Sequence, residues 1–210
     1  MSIVISSSTM TDSSGIAHLL ETQVSSEDMV KGSFLHARRD IVSLPDGNHA
    51  TREYVVHPGA VMVVPLIESP GQPLRVVLEH QYRYPVQRVM IEFPAGKLDA
   101  GESTAHCAQR ELFEETGYRA SDWSKAGVIH PVIAYSTEFI EVWFAKGLVA
   151  GERKLDSGEF LDVFTASADE LIRWCLDGRV TDAKTIAAAM WLQGYQSGAW
   201  TPVWSSTSPD

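Results

Sequence analysis

The stretch GKLDAGESTAHCAQRELFEETGY, residues 96–118, joins a glycine-containing turn to a segment with three closely spaced glutamates. Residues three and four apart lie on the same side of a helix, so Glu111, Glu114 and Glu115 would fall within about 100° of arc. Like charges at this spacing repel, and carboxylates near the end of a helix oppose its dipole. A bound divalent cation would reverse both effects, because hard cations take oxygen ligands. The helix alone leaves two interpretations open, a solvated acidic face and a cation site.

The surrounding pattern predicts that this helix spans residues 103–116 and packs on a sheet. Ala105, Ala108 and Leu112 form an apolar stripe beside the glutamates. Gly117 follows at the place where a left-handed residue commonly ends a helix. We therefore expect the glutamates at the edge of a buried face rather than in the middle of a solvated one.

Two upstream residues, Gly96 and Glu102, decide between the interpretations. Together with the helix they match the pattern G-x5-E-x7-R-E-U-x-E-E-x-G-U, in which U is a bulky apolar residue, here Leu112 and Tyr118. Nine constrained positions over 23 residues make this match highly specific. On this motif the chain resembles the Nudix hydrolases. The resemblance implies an α/β (α+β) fold, a Nudix-type α/β/α sandwich with a mixed sheet, plus a small N-terminal antiparallel β module.

The resemblance implies a role for each acidic residue of the motif. Glu111 and Glu115 would bind Mg²⁺ or Mn²⁺, as two or more ions, with Glu114 as a further ligand or a group that orients water. The carbonyl of Ala95 would be an additional ligand, since the turn before the helix returns close to the metals. Such ions bridge a diphosphate, neutralise its charge and lower the pKa of a bound water.

The remaining motif residues would be structural. Arg110 and Glu102 are expected to contact the metal-binding carboxylates and orient them, without binding the metal themselves. Gly96 would permit a close approach of the backbone to the site. Gly117 would end the helix.

The flanking segments resemble the ADP-ribose pyrophosphatase branch of the family. They are LPDG at 44–47, REYVVHPGAV at 52–61, QYR at 81–83 and EFPAGKLDAGE at 92–102. The resemblance implies hydrolysis of ADP-ribose to AMP and ribose 5-phosphate. Ile133 stands where such enzymes typically carry a proline, which leaves other nucleoside diphosphate sugars open, for example GDP-mannose. A catalytically silent nucleotide-sugar sensor is the alternative from a different class, and it predicts erosion of the metal-binding glutamates, none of which is missing.

Residues outside the motif are expected to contact the substrate. Arg83 would bind the diphosphate, and Arg52 and Glu53 would contact the adenine or the adjacent ribose, in the partner's site. Each residue has a simpler interpretation: Arg83 as a surface cation beside aromatic rings, Arg52 as a cross-strand ion pair. Glu159 is predicted to be the general base that activates water, with Glu114 as the alternative, although Glu159 could simply be a solvated charge at the start of a strand.

Turn signals and hydrophobic patterning divide the chain into four segments. We expect a flexible tail over 1–15, a β module over 16–57, a hydrolase domain over 58–200 and a C-terminal tail over 201–210. The β module is predicted to contain a weakly helical segment at 16–30 followed by a two-stranded hairpin. Because a hairpin is marginally stable alone, and because the resembling branch forms homodimers through such a module, we expect dimerisation here.

Composition excludes several classes of function. The net charge is −10, and no Lys/Arg run exceeds two residues, which argues against binding to nucleic acid or to anionic membranes. The longest apolar run, around 60–66, is far shorter than the ~20 residues of a membrane span. The N-terminus has no basic region typical of a signal peptide, and Cys107 and Cys175 have no metal-ligand spacing. These features predict a cytoplasmic enzyme.

Overall fold

The computed structural model describes residues 15–155 and 158–206, which form two compact units. One unit comprises residues 15–56 together with Ala134–Ser136, and the other comprises the remaining described residues. The tail expected over 1–15 lies outside the described residues except for its last position.

The N-terminal unit is a three-stranded antiparallel sheet in the order β1-β2-β3. Its strands are β1 (Thr22–Lys31), β2 (His36–Ser43) and β3 (His49–Val55), preceded by a short 3₁₀ turn at Ala17–Leu19. The prediction of a weakly helical segment at 16–30 is therefore wrong. Two register shifts interrupt the pairing of β1 with β2, and they break the strict alternation by which a strand is recognised.

The second unit is built on an eight-stranded mixed sheet within the described part of the chain. The path is β10-β5-β4-β9-β8-β11, with β6 added on β5 and β7 on β4. Strands β4 and β9 are parallel, whereas the other named pairs are antiparallel. The strands are β4 (Ala60–Ile67), β5 (Arg75–Arg83), β6 (Arg88–Glu92), β7 (Ala95–Lys97), β8 (Tyr118–Ile129), β9 (Ile140–Ala150), β10 (Leu161–Ser167) and β11 (Ser205–Ser206).

Helices cover both faces of this sheet. Successive side chains of a strand point to opposite faces, and β4 shows the consequence. Val61 and Val63 pack in one cluster with Leu112 of α1 (Thr104–Thr116). Their neighbours Met62 and Val64 pack in the other cluster, with residues of α2 (Ala168–Leu176) and α3 (Ala183–Ser197). This arrangement confirms the expected α/β/α sandwich with a mixed sheet.

Local sequence signals explain where the helices begin. Ser167 and Glu170 form the reciprocal capping box at the start of α2. Asp182 accepts a hydrogen bond from the backbone N–H of Thr185 and so caps α3. In the segment expected to be a C-terminal tail, Ser205 pairs with Trp123 of β8.

Two further properties bear on the kind of site to look for. No helix among the described residues is long and apolar enough to cross a membrane. Cys107 and Cys175 are unpaired thiols, and burial raises the pKa of Cys107 to about 12, so this thiol is a poor nucleophile.

Candidate active site

Ser103 caps the start of α1, and the motif glycine Gly117 ends it. The Ser103 side chain accepts from the His106 N–H at 3.2 Å and caps the start of the helix. Gly117 ends it in a left-handed conformation, with φ 76° and its N–H bonded to the Phe113 carbonyl at 2.8 Å. A Cβ on residue 117 would lie 2.6 Å from the Gly151 carbonyl oxygen, so glycine is required there for space as well as for conformation.

Strand β7 brings the backbone of the turn against the glutamates. A Cβ on Gly96 would lie 1.8 Å from Glu111 Oε1, so any side chain at residue 96 would displace the Glu111 carboxylate from this position. The Ala95 N–H donates to Glu115 Oε2 at 2.9 Å. The backbone of the turn is therefore in direct contact with the carboxylates at the end of α1.

Arg110 organises the charged face of α1. Its Nε and Nη2 atoms donate to the two oxygens of Glu102 at 2.9 and 2.8 Å. Its Nη1 atom donates to Glu111 at 2.7 Å and to Glu114 at 3.0 Å. The hydrogen bonds from Arg110 hold the pKa of Glu102 well below its usual range. One guanidinium thus orients three carboxylates, in the arrangement expected for a positioning residue.

Glu111 and Glu115 are unusually desolvated for acidic side chains. Glu115 is 2% exposed, and burial raises its pKa well above the ordinary value, with the charges of Glu79, Glu111 and Glu159 adding to the effect. Burial also raises the pKa of Glu111 to about 7, against the opposing attraction of Arg110. Neighbouring like charges in a low-dielectric environment favour the protonated form, or the binding of a cation.

Glu159 reaches the same region from the other side of the motif. It is half-buried, and its Oε1 atom accepts from Gln81 Nε2 at 3.2 Å. After burial, which is the main cause, the charge of Glu159 adds to the raised pKa values of both Glu111 and Glu115. The simpler interpretation placed Glu159 at the start of a strand. In the structure β10 begins two residues later, at Leu161.

Arg83 is held by a buried carboxylate. Its Nε and Nη2 atoms donate to the two oxygens of Glu92, each at 2.8 Å. Glu92 is 2% exposed and also accepts from Lys184, whose ammonium is bonded to Asp182. The pair fixes the direction of the Arg83 guanidinium, a group suited to recognising phosphate oxygens.

Arg52 and Glu53 lie on β3 of the N-terminal unit and are both paired there. Arg52 donates to the two oxygens of Glu21, and Arg39 donates to Glu53 at 2.8 and 2.7 Å. These contacts match the simpler interpretation of Arg52 as an ion-pairing residue, although an exposed pair of this kind can be exchanged for a ligand at little cost.

Sequence reasoning missed Glu79, Glu92 and Lys184. Glu79 is completely buried on β5, and neither of its carboxylate oxygens has a hydrogen-bond partner among the described residues. One signal in the sequence could have identified Glu79: it is a charged residue directly after the apolar run Val76–Leu78.

The chemistry of this donor set fits a hard divalent cation. Carboxylate and backbone carbonyl oxygens are the ligands that Mg²⁺ takes in proteins. Within residues 15–155 and 158–206, no three His, Cys, Asp or Glu side chains already converge on one point that could hold a metal ion. The glutamates are instead bonded to Arg110 and to the Ala95 N–H, so metal binding would require these contacts to rearrange.

Comparison with known proteins identifies the family and the fold. Residues 56–189 match the model of the NUDIX domain, and residues 21–55 match that of the nucleoside diphosphate sugar hydrolase N-terminal domain. A crystal structure of an ADP compounds hydrolase superposes with a TM-score of 0.75 over 86% of this chain and 97% of that chain, at 20% identity. At that identity the likeness concerns the fold.

Three curated relatives are similar over most of their length. The methanol dehydrogenase activator of Bacillus methanolicus is 35% identical over 82% of this chain and 92% of its own. The ADP-ribose pyrophosphatase of Bacillus subtilis is 33% identical over 83% and 94%, and that of Mycobacterium tuberculosis is 34% identical over 86% of each chain. The match to the domain model and the similarity to these relatives, together with the motif at 96–118, show that the chain belongs to the Nudix hydrolase family.

Proposed function

We propose that this enzyme hydrolyses the diphosphate linkage of a nucleoside diphosphate sugar, with ADP-ribose as the substrate and AMP and ribose 5-phosphate as the products. The observation that carries the proposal is the contact of the Ala95–Gly96 turn with the largely buried carboxylates of Glu111 and Glu115 at the end of the motif helix. The similarity to ADP-ribose pyrophosphatases supports the choice of substrate.

Divalent cations, Mg²⁺ or Mn²⁺, would be held by Glu111, Glu115, Glu114 and the Ala95 carbonyl. When bound, they would neutralise the charge of the diphosphate and lower the pKa of the attacking water. Arg110 holds the carboxylates of Glu111 and Glu114 on one side of α1, and these two contacts would be exchanged for the cation when it binds.

Glu159 is our candidate for the general base. It would accept the proton of the attacking water, and its hydrogen bond from Gln81 orients the carboxylate for this task. Glu114 is less suited, since its Oε2 atom is already bonded to Arg110. Arg83 would bind the diphosphate, which its bidentate contact with Glu92 prepares it to do.

The N-terminal unit would mediate homodimerisation. All ten residues of β1 are exposed, including Val24, Met29 and Val30, and among the described residues β1 pairs on one edge only, with β2. An exposed strand with apolar side chains is a ready surface for pairing with a second copy. Sedimentation of the purified chain would test this: a dimer is expected, and a monomer at micromolar concentration would contradict it.

Substrate turnover by the purified chain in Mg²⁺ tests the proposed reaction. We expect AMP and ribose 5-phosphate from ADP-ribose, with a kcat/KM above that for GDP-mannose and other sugar nucleotides. A higher kcat/KM for another sugar nucleotide would support the proposed reaction but show that ADP-ribose is not the preferred substrate. Failure to cleave any member of the panel, with Mg²⁺ or Mn²⁺, would contradict the proposal.

A further inference from the structure

Lys184 is a largely buried lysine in the first turn of α3. Only 12% of its side chain is exposed, and its ammonium contacts Glu92 of β6 and also Asp182, the latter at 3.0 Å. Removing an ammonium from water is unfavourable unless the group is paired and hydrogen-bonded. The two carboxylates meet that requirement and hold the ammonium at one defined place.

Glu92 connects Lys184 to Arg83. Its Oε1 atom accepts from Arg83 Nε, and its Oε2 atom accepts from both Arg83 Nη2 and Lys184. Although burial favours protonation, the contacts with these two cations keep the pKa of Glu92 below its ordinary value. Because donors from β5 and from α3 contact the same carboxylate, its orientation is fixed from two sides.

Arg83 keeps donors that Glu92 does not use. Its Nη1 atom makes no hydrogen bond among the described residues, and the side chain is partly exposed. A guanidinium can bind a carboxylate along one edge and a phosphate oxygen along another, because its five N–H donors form a rigid planar fork. The direction of the edge that carries Nη1 is therefore set by the carboxylate of Glu92.

The start of α3 also holds the residue that follows Glu92. Thr185 is fully buried, and its Oγ1 atom accepts from the Phe93 backbone N–H at 3.2 Å. Asp182 caps the same helix by accepting from the Thr185 N–H at 3.0 Å. Two consecutive residues of α3 thus contact two consecutive residues of the chain, shortly before the Ala95–Gly96 turn.

We propose that Lys184 is a positioning residue, which directs the Arg83 guanidinium toward the diphosphate of the substrate by fixing the Glu92 carboxylate. The inference rests on the role of Arg83 in the proposed function, and it adds α3 to the elements that form the substrate site. Without the ammonium, the second oxygen of Glu92 loses a donor, so Arg83 could bind the carboxylate in more than one way. The expected consequence is weaker substrate binding rather than slower chemistry.

The separation of KM from kcat tests this role. Lys184→Met removes the ammonium, and we expect KM for ADP-ribose in Mg²⁺ to rise about tenfold while kcat changes less than about twofold. Lys125→Met is the matched control, since Lys125 also contacts a buried glutamate, Glu141 of β9. Within the described residues, Lys125 does not contact Arg83 or Glu92, so the control should keep the wild-type KM. An unchanged KM in Lys184→Met, or an equal rise in the control, would overturn the inference.

A double-mutant cycle shows whether Lys184 acts through Arg83. Residues of one hydrogen-bond network have non-additive effects, whereas independent residues have additive ones. In an Arg83→Ala background, Lys184→Met should therefore change KM by less than about twofold. The same increase in both backgrounds would overturn the inference and leave the proposed reaction intact.

Inorganic pyrophosphate is a probe that needs no turnover. Its Kd, measured by isothermal titration in Mg²⁺, should show the same non-additivity in the wild-type chain, the two single variants and the double variant. That result in a chain that cleaves no sugar nucleotide would contradict the proposed function and leave the positioning role standing. Equal Kd values for the wild type and Lys184→Met would overturn the inference.

A structure of the wild-type chain with a non-hydrolysable ADP-ribose analogue covers the case in which Lys184→Met does not fold. Arg83 Nη1 should lie within about 3.2 Å of a diphosphate oxygen, with Lys184 still bonded to Glu92. Direct contact of Lys184 with the analogue would make it a binding residue and overturn the inference. A diphosphate beyond the reach of Arg83 would overturn it as well.

Discussion

The backbone at Gly96 passes so close to Glu111 that a Cβ there would lie 1.8 Å from the carboxylate oxygen. The Gly96→Ala substitution must therefore displace Glu111 or the turn. Because misplacement of a catalytic group by about 1 Å can cost roughly 100-fold, we expect kcat/KM to fall by about that factor, with weaker Mg²⁺ activation. Steady-state kinetics against Mg²⁺ concentration checks this, with Gly15→Ala as the control because no atom lies within 4 Å of its Cβ. Wild-type kinetics for Gly96→Ala would show that the contact is not needed.

Glu115→Gln should separate catalysis from folding. The amide keeps the shape of the side chain but removes the charge of the proposed metal ligand, so kcat is expected to fall on the order of 100-fold or more. The fold should persist, since the carboxylate is destabilised by burial and by neighbouring charge. Circular dichroism and turnover at saturating Mg²⁺ would establish both points, and near-normal turnover would exclude the ligand role.

Glu159→Gln tests the general base. Loss of a positioned base commonly costs about 10²–10⁴ in rate, so kcat should fall by that order while KM changes little. Glu114→Gln provides the comparison, and because Glu114 is also a proposed metal ligand, the pH dependence of kcat is the readout: loss of the rise of kcat with pH in Glu114→Gln but not in Glu159→Gln would transfer the role to Glu114. Glu152→Gln, at an exposed position two residues after β9, serves as the matched control and should retain wild-type kinetics.

Arg83→Lys should weaken substrate binding. Lysine keeps the charge but cannot reproduce the two parallel hydrogen bonds that Arg83 makes with Glu92, so its ammonium would not be directed in the same way. We expect KM for ADP-ribose to rise roughly tenfold, which corresponds to about 1.4 kcal/mol of binding free energy. The unfolding free energy should be measured in parallel. An unchanged KM would return Arg83 to a purely structural role.

Glu102→Gln should lower stability in a pH-dependent manner. Glu102 accepts two hydrogen bonds from Arg110, and removing its charge should reduce the free energy of unfolding by about 1–3 kcal/mol at pH 7. Because the folded-state pKa of Glu102 is lowered, its contribution is complete above the ordinary carboxyl pKa of about 4.3, begins to decrease there, and is lost as the pH falls through the lowered folded-state pKa. Urea unfolding at pH 7 and pH 4 should show a smaller difference between variant and wild type at pH 4. An equal difference in unfolding free energy at the two pH values would show that the charge of Glu102 does not contribute to stability.

Local patterning predicted the central elements because their signals are strong and short in range. The apolar run around 60–66 forms β4, and Gly117 ends α1 at the predicted place. The sequence also predicts a strand over 128–133, but only residues 128 and 129 belong to β8, which starts at Tyr118 and contains an irregularity near Gly127. Propensity could not find β1, because the pairing of this strand with β2, rather than its own composition, holds it extended.

The sequence by itself determined the motif, the helix that carries it and the family to which the chain belongs, because these depend on residue types at fixed short spacings. The tertiary structure alone decided that the buried Glu92 is bonded to both Arg83 and Lys184. These residues come from β6, β5 and α3, and only the pairing of β5 with β6 and the packing of α3 on the sheet bring them together. Burial and the position of neighbouring charges then set the electrostatics of each acid, and neither is encoded by the spacing of residues along the chain.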